Sequence, residues 1–78
     1  MRTFAFFIDD RRCAEPRTIT VETRDEGRAR ELAERMLAQS EHHLGVEVCD
    51  DGRRVFGIGS FGDRSWCERE EAPKPAAA

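Results

Sequence analysis

Five side chains in this 78-residue chain could hold a metal ion or serve a nucleophilic step: Cys13, His42, His43, Cys49 and Cys67. Closed zinc sites draw four such ligands from short C-x-x-C or H-x-x-x-H pairs that a local element can hold. Neither pair is present. On a helix the neighbours His42 and His43 diverge by about 100°, so they cannot face one metal together. No metal or other cofactor is expected. A cysteine nucleophile needs an imidazole within hydrogen-bond reach. Cys49 and His43 lie near adjacent element ends and are the candidate pair. The carboxylates at Asp9-Asp10, Glu22, Asp50-Asp51 and Glu68 to Glu71 suit turns and caps. They offer no isolated pair for general acid–base work. No catalytic residue is assigned, and the chain is read as non-enzymatic.

Residues 57–62 read GIGSFG, which matches the glycine pattern G-x-G-x-x-G. In dinucleotide-binding folds those glycines join a strand to a helix inside a βαβ unit, and the helix N-terminus holds the pyrophosphate. Here 16 residues follow Gly62, with Trp66, two prolines and an alanine tail among them. No such helix and return strand are expected. The stretch also resembles the G-x-G-x-F-G hairpin of protein kinases, and this resemblance implies strand–turn–strand geometry. The kinase hairpin works with a strand lysine and acidic catalytic and metal-binding groups. The only lysine here is Lys74. No nucleotide or small-molecule substrate is inferred.

The elements that position these residues follow from periodicity. TFAFFID over 3–9 predicts a strand, with Phe4, Phe6 and Ile8 on one face and Ala5 and Phe7 on the other. DRRCAEP is a connection. RTITVET alternates, with Ile19 and Val21 inward. Thr23-Arg-Asp-Glu26 fits a capping box. Ala29, Leu32, Ala33, Met36, Leu37, Ser40 and Leu44 follow at helical spacing, which places His42 and His43 in the last turn and Gly45 at the cap. GVEVCD and RRVFGIG flank Asp51-Gly52, a hairpin signal. A two-residue loop would set Val48 opposite Val55 and turn Phe56 away. A three-residue loop sets Val46 opposite Phe56, so that Val46, Val48, Phe56 and Ile58 share the helix-covered face. The second reading is preferred. A turn at Gly62-Asp63 leads to a short last strand around residues 64–68, carrying Trp66.

The fold class expected is α+β: one small domain over 1–68, β-β-α-β-β-(β), with a mostly antiparallel sheet and one helix packed on one face. EREEAPKPAAA predicts a disordered tail over 69–78. No stretch approaches a membrane span of about 20 apolar residues. A cytoplasmic chain with reduced cysteines is expected. The net charge of −3 is too mild to attract or repel nucleic acid by itself. Of 13 basic residues, all but Lys74 are arginine, which suits bidentate contacts with anionic groups.

On this register one sheet face stays open. It holds Phe7, Val55, Gly57, Gly59 and Phe61, and no second layer is foreseen to cover it. A partly apolar face of this kind suits a protein partner or a second copy. Arg28, Arg35, Arg53 and Arg54 are the exposed cations expected to join it. Ile19-Thr-Val-Glu22, the helix with Ala29 and Ala33, Val46-Glu-Val48, Asp51-Gly52 and Trp66 together resemble small phage anti-CRISPR-type inhibitors. They also resemble short uncharacterised bacterial ββα-type domains. The inhibitor resemblance implies a protein that works by occupying a surface of a nucleoprotein complex. The expected function is therefore a protein-binding module, either a phage-type inhibitor or a small regulator. The alternatives are a nucleic-acid-binding module using the arginines and a homodimeric bacterial domain.

Overall fold

Phe4, Phe6 and Ile8 alternate along the first strand, while Phe7 projects to the opposite side. A strand apolar on both faces belongs in the middle of a sheet. That is where the computed structural model, which describes residues 1–67, places it. The elements are β1 (Arg2–Asp10), β2 (Arg17–Thr23), α1 (Glu26–Ala38), β3 (His43–Asp50) and β4 (Arg53–Gly59). They form one antiparallel sheet in the order β2-β1-β3-β4. The expected β-β-α-β-β architecture is the observed one. The expected tail lies outside the described residues.

The helix lies on one face, mainly across β3. Ala29 and Ala33 are fully buried there, and their small side chains let the helix backbone approach the sheet. They pack with Phe4, Phe6, Ile8, Val46 and Val48, and Leu32, Met36 and Leu37 close the margins. Burying each large side chain contributes roughly 1.5–3 kcal/mol.

Three local expectations need correction. The helix is capped by Asp25, whose carboxylate accepts the Arg28 amide at 2.9 Å, rather than by Thr23. Thr23 is still paired with Arg2 in the sheet, so its backbone is not free to cap. Its buried hydroxyl has no hydrogen-bond partner among the described residues. The helix also stops at Ala38, before His42 and His43. The stripe whose spacing extends to Leu44 is interrupted because His43 pairs with Asp10 and begins β3. Leu44 is accordingly exposed, and Gly45 lies inside β3 rather than at a cap.

The hairpin reaches the expected facing by another route. Asp51 and Gly52 both have positive φ, at 55° and 80°, which makes a two-residue loop between the paired Asp50 and Arg53. A bulge then absorbs Val55, so that Val48 pairs with Phe56 and Val46 with Ile58. Val46, Val48, Phe56 and Ile58 thus belong to the helix-side core, and Val55 packs at its edge. Val55 therefore does not belong to an open far face.

The capping geometry predicts two opposite outcomes. Asp25→Ala should lower stability by about 1 kcal/mol. Thr23→Val, which removes an unpaired buried hydroxyl at constant shape, should be neutral or stabilising. Urea denaturation of both variants checks this.

Candidate functional site

The far face of the sheet is closed by the chain itself. After β4 the backbone turns at Gly59, where φ is +63°, and residues 60–67 return across β3 and β1. We refer to this segment as the strap. Hydrogen bonds from Ser60 N to Leu44 O, Phe61 N to Ile58 O and Gly62 N to Gly59 O form the reversal, at 2.9, 3.2 and 2.9 Å. GIGSFG is therefore a strand end and a tight turn, as its hairpin-like spelling suggested. Gly57 is needed for close approach, because a β-carbon there would lie 2.3 Å from the carbonyl oxygen of Phe61.

Phe61 is 1% exposed under this arrangement and packs with Phe7, Cys49 and Cys67. Ala5 and Trp66 border the cluster. The expected last strand around residues 64–68 does not form over its described part. The chain instead becomes helical at Trp66–Cys67.

Glu47 anchors the far end of the strap. This residue is fully buried, on the sheet face opposite the helix. Its Oε1 accepts the amides of Trp66 and Cys67, both at 2.8 Å, and its Oε2 accepts the Ser65 hydroxyl at 2.6 Å. The Arg54 guanidinium stands 3.7 Å away. The same guanidinium donates to Phe61 O at 2.8 Å and to Arg64 O at 2.7 Å. At the near end, Asp9 accepts from the Ser60 hydroxyl at 2.6 Å and from Arg64 at 2.7 Å. Arg64 also covers the Phe61 ring, 5.0 Å from its centroid.

These contacts settle where each expected site residue lies. Phe7 is buried beneath the strap, Phe61 is the strap's own buried side chain, and Gly57 gives space to it, so these three are not offered to a partner. Gly59 is exposed but occupied in the turn. Arg54 is spent on the strap. Arg28 pairs with Glu31 at 2.8 Å. Arg35 and Arg53 are exposed and form no ion pair among the described residues. Glu47 was legible only as an acidic residue sharing a strand face with Cys49.

A second buried carboxylate fixes the opposite corner. Asp10 is 1% exposed and accepts the Arg12 amide at 2.9 Å, Arg12 Nε at 3.0 Å and Arg12 Nη2 at 2.7 Å. Arg17 and His43 stand 3.9 Å from it. The Arg12 side chain and amide hold the Asp10 carboxyl well below its usual range, against the opposing effect of burial. His43 Nδ1 donates to Met36 O at 2.6 Å. The ring thus joins the helix C-terminus to this corner. Cys49 lies six residues along the strand from His43, about 20 Å away. That separation keeps them from acting as a thiol–imidazole pair. Burial pushes the Cys49 thiol up, which works against its serving as a nucleophile. Among the described residues no group of three or more His, Cys, Asp and Glu side chains is arranged to hold a metal ion.

Two predictions follow from the carboxylates. Glu47→Ala leaves Ser65, Trp66, Cys67 and Arg54 without their shared acceptor, and it should cost about 3 kcal/mol in chemical denaturation. Asp10 has a folded pKa below its unfolded value, so the unfolded chain takes up the proton first as pH falls. Its contribution is complete above the ordinary carboxylate range and should decline as pH drops below about 4. Denaturation midpoints at neutral and acid pH should differ less in Asp10→Asn than in the parent. Comparisons of the chain with protein-family models, with curated proteins and with solved structures give no match.

Proposed function

We propose that this chain is a non-enzymatic protein-binding module that receives an extended segment of a partner protein along β2. The free edge of β2 is the observation that carries this reading. That strand is hydrogen-bonded to β1 alone, at the end of the sheet order. A free edge presents a row of backbone donors and acceptors to an added strand. The strap lies over β1 and β3, and Thr18, Thr20 and Glu22 remain exposed on the β2 side of that face. The strand has no proline and no inward-pointing charge among Ile19, Val21 and Thr23.

Charge supports one type of occupant. Arg17 begins β2 and Arg24 follows its end. Beside that end is a depression of about 240 Å³ lined by Met1, Glu22, Thr23, Arg24, Arg28 and Leu32. Arg28 is paired with Glu31, so Arg24 is the guanidinium that suits an acidic side chain of the incoming strand, with Leu32 as apolar lining. A surface-occupying inhibitor or a small regulator would both use such an edge. The apolar far face originally expected to bind is closed, which moves the proposed contact to β2.

The test compares partner recovery by three proteins. Wild type should capture a protein that Thr20→Lys/Arg24→Glu loses, while Arg35→Glu/Arg53→Glu retains it. Bound partner should slow hydrogen exchange in β2 amides. Equal capture by the β2 variant would overturn the reading. So would salt-dependent binding of labelled DNA or RNA that depends on Arg35 and Arg53.

A further inference from the structure

Three cysteines are present, and two of them meet. Cys49 on β3 and Cys67 at the end of the strap share the buried cluster with Phe7 and Phe61. They are 1% and 5% exposed. Burial raises the Cys49 thiol's pKa, and the Cys67 side chain beside it raises it further. The position of Cys67 is fixed from two sides: its amide is held by Glu47 at 2.8 Å, and its sulfur reaches Gly52 O at 3.2 Å. Glu47 precedes Cys49 by two residues on the same face of β3, and Gly52 follows it in the hairpin. Cys67 is therefore held over Cys49 by contacts on both sides of it. Cys13 is exposed in the β1–β2 connection and belongs to neither cluster.

We infer that Cys49 and Cys67 form a dithiol site that takes a small-molecule disulfide as its oxidant and closes to an intramolecular disulfide, locking the strap onto the sheet. This inference is independent of the β2 surface. Cys67 lies on the strap and is reached when the strap lifts from the sheet. Its thiolate attacks one sulfur of oxidised glutathione, giving a mixed disulfide and one glutathione thiolate. The Cys49 thiolate then attacks the Cys67 sulfur and expels the second glutathione. Two protein thiols and one glutathione disulfide become one protein disulfide and two glutathione thiols. Burial holds the Cys49 thiol in its protonated form while the strap is seated, so exchange is coupled to opening of the strap. The bridge links segments that already touch, and it removes conformations from the unfolded chain.

The experiment uses the full chain carrying Cys13→Ser, treated with oxidised glutathione. Intact mass should fall by two hydrogens, with no glutathione retained, and non-reducing peptide maps should join Cys49 to Cys67. The melting temperature should rise by on the order of 10 °C and return on reduction. Wild type provides the reactivity control through exposed Cys13. Cys13→Ser/Cys67→Ser should keep Cys49 unmodified and show no shift. A glutathione adduct that persists on Cys67 would overturn the inference. An unchanged mass while Cys13 of wild type reacts would do so too, as would a bridge that lowers the melting temperature.

Discussion

Glu47 is the interaction on which the two-sided structure depends. A fully buried carboxylate is costly unless its oxygens are satisfied by several donors. Here a hydroxyl, two backbone amides and a nearby guanidinium supply them, and all but the guanidinium come from residues 65–67. The dependence runs both ways. The strap needs Glu47 to satisfy the amides of its first helical residues, and Glu47 needs the strap to be buried at all. Phe7 is shielded as a consequence, since Phe61 of the strap packs against it.

This arrangement answers a problem of coverage. Among the described residues one helix packs on the sheet, and it covers only one face of the four strands. The helix covers the face carrying Phe4, Phe6, Val46 and Val48. The other face is covered by a turn and a strap whose apolar contribution is small, so polar contacts supplement it. Asp9 and Arg54 hold the strap's beginning and middle, and Glu47 holds its end. The opposite corner is handled in the same manner by Asp10, which gathers Arg12 and stands near His43, whose ring reaches the Met36 carbonyl in the last turn of α1. Small glycines make the close approaches feasible, above all Gly57 beneath the Phe61 carbonyl.

Periodicity made the architecture legible. The strict alternation in Phe4, Phe6 and Ile8, the helical spacing from Ala29 to Leu37 and the Asp51-Gly52 turn each have one physical reading, and together they specify β-β-α-β-β. Element ends were less legible, because ladder pairing decides them. Leu44 continues the helical spacing, yet the pairing of Asp10 with His43 ends the helix earlier. Hairpin facing was recovered while the device was not, since a bulge at Val55 leaves no pattern that differs from an ordinary alternation. The closed far face was not legible. Residues 60–67 are short and mostly polar, and nothing in their spacing marks them as a covering layer. What decides their place is a long-range contact with Glu47, nearly twenty residues earlier in the chain. The candidate site accordingly shifted most: Phe7, Gly57, Phe61 and Arg54 belong to the interior arrangement, while Arg35 and Arg53 remain on the surface.

Hydrogen exchange of the Trp66 and Cys67 amides tests this account most directly. Both amides lie outside the sheet ladder, where exchange at the rate of an open segment would be the ordinary expectation. If Glu47 holds the strap as described, they should be protected to the same degree as the neighbouring β3 amides and lose that protection in Glu47→Ala under conditions where β3 stays protected. Exchange of both amides at the unprotected rate in the wild-type protein would contradict the account.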